Sequence, residues 1–143
     1  MSHSPSITVA HTLPIRGGRL ALIALWSVQI VIAGMFLLAG GSKLAGAAAM
    51  VALFDAVGVG QWFRYVTGLI EVASAIALLL PALAPLGALL IASTMIGAVT
   101  THLFIVGGSL ALPGLLLLGA LVVAWARRDQ LFGAVSRRHG ASA

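Results

Sequence analysis

The sequence predicts an all-α integral membrane protein, a four-helix bundle with a short interfacial helix between the first and second spans. Three observations predict it. Hydrophobic residues make up 61% of the 143 residues and charged residues only 8%. Soluble domains carry about a quarter charged residues, so too little polar surface is present to cover a water-exposed globule. Mean hydropathy is +1.14, and the apolar residues fall into runs close to the ~20 that cross a bilayer as a helix. The breaks between runs carry glycine, proline, aromatic and basic residues, the usual punctuation of membrane spans.

Each element follows in order. Residues 1–19 are polar, contain Pro5 and Pro14, and are expected to form a disordered cytoplasmic tail. Arg16 and Arg19 lead into the first apolar run, residues 20–41, which is too long for the hydrophobic part of a signal peptide and long enough to span. Residues 47–57 read as a helix too short to cross, interrupted by Asp55 and ended by Gly58 and Gly60. Trp62, Phe63 and Tyr65 cluster behind it, as aromatics do at a membrane boundary, so this segment is expected to lie in the interface. A second span is expected over residues 64–83. Pro81 and Pro85 bracket the next turn, since neither suits a helix interior. A third span covers residues 86–106, and Gly107, Gly108 and Ser109 form the following turn. The fourth, residues 110–126, is short, with Pro113 in its first turn and Arg127 and Arg128 as its stop. Residues 127–143 are expected to form a basic cytoplasmic tail, and residues 20–126 the membrane domain.

Arg16, Arg19, Arg127, Arg128, Arg137 and Arg138 account for six of the eight Lys and Arg residues. By the positive-inside rule both termini are cytoplasmic, which requires an even number of spans. Short turns make consecutive spans antiparallel neighbours. The net charge of +5 resembles a nucleic-acid signal only in sign, because the arginines flank apolar runs and form no basic face with interleaved aromatics. No nucleic-acid partner is expected.

Glu71 is the residue that most constrains function. It lies in an almost uncharged apolar run, where an ionised carboxylate costs several kcal/mol unless it is paired, protonated or wetted. Counting along ideal helices places Lys43, Glu71 and His102 in the same half of the bilayer. Helical spacing gathers Gln29, Ala33, Phe36, Gly40 and Lys43 on one face of the first span. It gathers Arg64, Thr67, Gly68, Glu71 and Ala75 on one face of the second, and Thr94, Gly97, Ala98 and Thr101, beside His102, on one face of the third. Small residues let helices approach closely and polar ones bind across the contact, so these faces are the expected interfaces.

Several readings stay open at this level. Glu71 is a structural ion-pair partner of Lys43 or Arg64, a proton-transfer group working with His102, or a neutral acid donating one hydrogen bond. Lys43 also fits a side chain that snorkels to the boundary. Gln29, Thr67 and Thr101 are candidate interhelical polar contacts, and Trp62 and Phe63 candidate pocket walls. A bis-histidine haem is not expected, since only His102 lies in a span and His3, His11 and His139 lie in the tails. With no cysteine and one spanning histidine, no metal or haem site is expected from this chain alone.

The chain resembles the DoxX family, in its DoxX-like bacterial branch. The resemblance rests on Ala-Gly-Gly-Ser-Lys-Leu at residues 39–44, on Arg64 with Gly68 and Glu71, on the Leu-Leu-Leu-Pro ending at Pro81, and on residues 98–102. It implies a small four-helix protein of the bacterial cytoplasmic (inner) membrane, with some relatives linked to membrane oxidoreductase complexes or quinone-coupled sulfur oxidation. Three functions follow as expectations. The first is a non-catalytic subunit or anchor of a redox-associated complex, with a membrane or peripheral redox partner. The second is a quinone-linked oxidoreductase component using Glu71 and His102 as proton relay. The third is a small proton-coupled transporter, which four spans allow only as a homo-oligomer.

Overall fold

The computed structural model describes residues 17–130. The expected tail residues 1–16 and 131–143 lie outside the described residues; Arg19, counted with the first tail, is already helical. The described chain is α-helical, in the order α1 (Gly17–Leu44), α2 (Ala48–Val57), α3 (Gln61–Leu79), α4 (Ala84–Thr101), a π-helical turn (His102–Val106) and α5 (Ala111–Ala126). The segments Gly18–Leu44, Gln61–Leu79 and Ala84–Val106 are each long and apolar enough to cross a membrane. At 16 residues, α5 rises about 24 Å, short of the ~30 Å hydrocarbon core.

Packing follows chain order: α1 lies along α3, α3 against α4, α4 against α5, and α5 returns to α1. Lipid tails are as apolar as leucine, so association inside a membrane depends on close packing and polar contacts and not on escape from water. Glycines supply the closest approaches. At the α1–α3 crossing, a Cβ on Gly40 would sit 2.8 Å from the Gly68 carbonyl oxygen, and one on Gly68 would sit 3.1 Å from the Gly40 carbonyl oxygen. At the α3–α4 contact, a Cβ on Gly87 would meet the Ser74 carbonyl oxygen at 2.8 Å. Between these contacts lies a core of Phe36, Leu78, Ile91, Met95, Ala120 and Val123 with their small neighbours. Leu38, Leu69 and Leu115 point outward, as residues facing lipid acyl chains do.

The expected faces of α1 and α3 are the buried ones: Gln29, Ala33, Phe36 and Gly40, and Arg64, Gly68, Glu71 and Ala75. The expected α4 face is only partly so. Its buried residues are Ala84, Ala88, Ile91, Ala92 and Met95, with Pro85 and Gly87 at the start. Gly97 is exposed and has no neighbour within 4 Å of an added Cβ. The threonines do not require an interface, because each hydroxyl satisfies itself on its own helix: Thr94 on the Leu90 carbonyl and Thr101 on the Gly97 carbonyl.

The α2 segment is the expected short helix beside the bundle, and it packs on α3 and on the π-helical turn. Gly58, at φ +76°, ends it in the left-handed conformation, with its N–H donating to the carbonyls of Phe54 and Asp55. Phe54 is its buried anchor, meeting Phe63 edge-on at 5.9 Å.

The two kinds of glycine give a contrast. Gly87→Ala forces backbone apart at the α3–α4 contact and is expected to cost about 1–3 kcal/mol, as overpacking does. Gly97→Ala meets nothing and is expected to be neutral or stabilising by up to ~1 kcal/mol through helix propensity. Unfolding of the two purified variants in the same detergent checks both.

Candidate functional site

Polar side chains collect in two layers. The first lies near the α2 end of the bundle. Lys43, in the last turn of α1, sends Nζ to Glu71 Oε2 of α3 at 2.6 Å. The side chains are 13% and 4% exposed. The pair forms because the Gly40–Gly68 crossing lets α1 and α3 approach here, leaving the lysine stem against the Gly68 backbone. Arg64, one turn before Gly68, is buried and donates through Nη1 to the Lys43 carbonyl. That carbonyl is one of the last four of α1, which lack helical partners, so Arg64 of α3 caps the end of α1.

A chain of bonds continues outward from Arg64. Its Nε donates to Gln61 Oε1 at 2.6 Å. Gln61 Nε2 donates in turn to Asp55 Oδ1 at 2.7 Å and to the Val51 carbonyl at 3.0 Å. The guanidinium also lies over the Tyr65 ring, 4.2 Å from its centre. The layer therefore holds two cations and two carboxylates on α1, α2 and α3. Glu71 and Lys43 neutralise each other directly, and Arg64 and Asp55 are linked through an amide.

The second layer lies at the opposite end. Gln29 of α1 is fully buried. Its Nε2 donates to the Leu78 carbonyl at 2.7 Å, near the end of α3. Its Oε1 accepts from Arg127 Nε at 3.0 Å and Nη2 at 2.7 Å. This orientation is forced, since a guanidinium only donates and a carbonyl only accepts. Arg127 caps the C-terminus of α5, where a cation is favoured; its guanidinium is 5.2 Å from the centre of the Trp26 ring. The Gln29 amide thus joins three helices and, like Arg64, covers a terminal carbonyl of a neighbour.

The match to the DoxX-like family covers residues 27–126. The chain belongs to the DoxX-like family. The matched span contains the Lys43–Glu71 pair, all of α3 and α1 from residue 27 onward, together with Gln29, Arg64 and His102, and ends one residue before Arg127. No curated protein and no solved structure matches the chain. With the apolar helices, membership makes this DoxX-like chain a multi-pass membrane protein.

The remaining candidate residues separate from the pair. His102 ends α4 and opens the π-helical turn, with Nδ1 2.9 Å from the Ala98 carbonyl, a bond that requires the proton on Nδ1. Among the described residues no hydrogen bond joins His102 to Glu71. Thr67 Oγ1 donates to the Phe63 and Arg64 carbonyls, so it and Thr101 bond within their helices and not between them. A threonine hydroxyl reaches a carbonyl one turn back more easily than a neighbouring helix. Trp62 is exposed, donates through Nε1 to the Val59 carbonyl and stands edge-on to Phe63 at 5.7 Å. Phe63 thus stands edge-on to both Phe54 and Trp62. Among the described residues no cluster of three or more His, Cys, Asp or Glu side chains gathers.

Sequence reasoning read Arg127 only as a stop signal, yet it is 7% exposed and turned into the bundle. A signal was present: Ala120, Val123 and Arg127 recur at three- and four-residue spacing along the inward face of α5. Gln29→Leu would strand both the Arg127 guanidinium and the Leu78 carbonyl. It is expected to cost about 3–5 kcal/mol, the range for a buried charge losing its partner, whereas Ser27→Ala, on an exposed back-bonded serine, should stay within ±0.5 kcal/mol. Denaturant unfolding in detergent distinguishes them.

Proposed function

We propose that this chain is a non-catalytic membrane subunit that anchors a redox-associated complex in the bacterial cytoplasmic membrane, with both termini on the cytoplasmic side. One observation carries the non-catalytic part. Glu71, the strongest candidate for proton chemistry, is committed to Lys43 at the closest crossing of α1 and α3. Moving a proton on or off that carboxylate would break the contact that sets the register of two helices. The redox association rests on the family resemblance alone, which implies that some DoxX-like relatives are linked to membrane oxidoreductase complexes. The orientation rests on Arg16, Arg19, Arg128, Arg137 and Arg138 near the termini. A partner's docking surface is supported by the π-helical turn, where Leu103, Phe104, Ile105 and Val106 are all exposed and Phe104 reaches 81%.

That same turn favours a second reading. Single π-turns inside α-helices occur frequently at functional sites, and His102 opens this one. In a quinone-linked component His102 would exchange the proton that accompanies the electron, with Glu71 second in the relay.

Purification of the tagged chain from its native membrane in mild detergent, with partner identification and an absorbance spectrum, tests the choice. The anchor reading expects a stoichiometric partner that carries a redox cofactor, and no quinone turnover by the chain once separated. Quinone turnover by the isolated chain, lost in Glu71→Gln and His102→Ala, would replace it with the second reading.

A further inference from the structure

Among the described residues no carboxylate balances the charge of Arg127. The sequence contains three acidic side chains: Asp55, Glu71 and Asp129. Glu71 is held by Lys43 and Asp55 by Gln61, both in the layer near α2. Asp129 is 90% exposed and lies 3.9 Å from Arg128 Nε. Arg127 receives only the neutral Gln29 oxygen and the Trp26 ring. Its Nε and Nη2 are used, while Nη1 has no hydrogen-bond partner among the described residues. Nor is Nη1 among fully enclosed atoms lacking a partner, so it retains access to whatever lies outside. An anion at that open edge would offset the hydration that a mostly buried guanidinium has lost.

An apolar groove of about 560 Å³ opens beside it, between the first half of α1 and the last turns of α5. Leu25, Val28 and Val122 line its deep part and Ala21 and Ala126 the end nearer the chain termini. Arg127 is not itself a lining residue; it adjoins the groove along the chain through Ala126, and its guanidinium lies by the ring of Trp26, which follows the lining residue Leu25. Basic residues rim the same end: exposed Arg19 follows Gly18, which also lines the groove, and Arg128 lies over Trp125 at 4.4 Å.

We propose that this groove is a binding site for one anionic phospholipid, its phosphate on Arg127 and its acyl chain between α1 and α5. The charge complementarity selects the occupant. A second copy of the chain, at net charge +5, meets this basic end with like charge. A free anion has no use for the apolar groove. A zwitterionic lipid has the phosphate but places its ammonium among Arg19, Arg127 and Arg128, where like charges repel. An anionic headgroup has the phosphate, offers hydroxyls in place of that ammonium, and meets a guanidinium fork suited to phosphate oxygens. Arg127 then acts twice, holding α1 to α5 through Gln29 and holding lipid through Nη1.

The full chain in detergent is titrated with phosphatidylglycerol, with phosphatidylcholine and with inorganic phosphate, reading thermal midpoint and bound lipid by native mass spectrometry. Phosphatidylglycerol is expected to bind about tenfold or more tightly than phosphatidylcholine and to raise the midpoint, with inorganic phosphate leaving it unchanged. Arg127→Gln should lose the preference. Because that variant also disturbs Gln29, Ala21→Trp provides the second arm: it fills the groove, leaves the Gln29–Arg127 bonds in place, and should keep its midpoint in phosphatidylcholine while losing the response to phosphatidylglycerol. A chain ending at Gln130, lacking Arg137 and Arg138, should retain the response. Equal binding of the two lipids, an undiminished response in Ala21→Trp, or loss of the response in the chain ending at Gln130 would overturn the site.

Discussion

The pairing of Lys43 with Glu71 across the Gly40–Gly68 crossing is the constraint on which the bundle depends. Apolar side chains gain little by meeting each other when the alternative neighbour is a lipid tail. A carboxylate inside the span gains a great deal by meeting an ammonium, because its alternatives are poor. The two glycines and the ion pair are one device. Without the close approach the lysine stem could not lie along α3, and the pair adds the one charge–charge contact to the Gln29–Leu78 and Arg64–Lys43 bonds that hold the same two helices in register. Arg64 extends the device by covering the Lys43 carbonyl and tying α3 through Gln61 to Asp55 of α2.

The opposite end solves a related problem with a neutral group. Helices that stop inside or near hydrocarbon leave terminal carbonyls without partners. Gln29 covers one of these at the end of α3, and Arg64 covers one at the end of α1. In both cases the donor comes from an adjacent helix, so finishing one helix also fixes its neighbour. The α5 helix, too short for the full hydrocarbon thickness, is held at its end by Arg127 on the same Gln29 amide. The bundle is thus braced at both ends, with an apolar core of small and branched residues between them.

Much of this was legible in the sequence because α1 and α3 place their polar and small residues on one helical face, and a buried acid has few ways to be satisfied. Lys43, Glu71, Arg64 and Gln29 could all be found that way. The α4 face was misread because Thr94 and Thr101 look like interhelical polar contacts, while a threonine in a helix has a carbonyl of its own one turn back. The true face, through Ala88, Ile91 and Met95, carries no polar marker. Arg127 was read as a stop because two consecutive arginines after an apolar run usually face water, and only the spacing from Ala120 and Val123 distinguishes the one that turns inward. Nothing in residues 102–106 announces a change from α to π winding.

A double-substitution cycle at the pair is the most direct measurement. Unfolding free energies of the wild type, Lys43→Met, Glu71→Leu and the double variant would be compared in one detergent. Each single change strands a buried charge, and the double removes both. Removal of the lysine should be the more damaging, since a stranded lysine can snorkel to the boundary and a stranded glutamate cannot. The account predicts that the double variant is less destabilised than the sum of the singles by about 2–3 kcal/mol. Additive losses, with no coupling between positions 43 and 71, would contradict it.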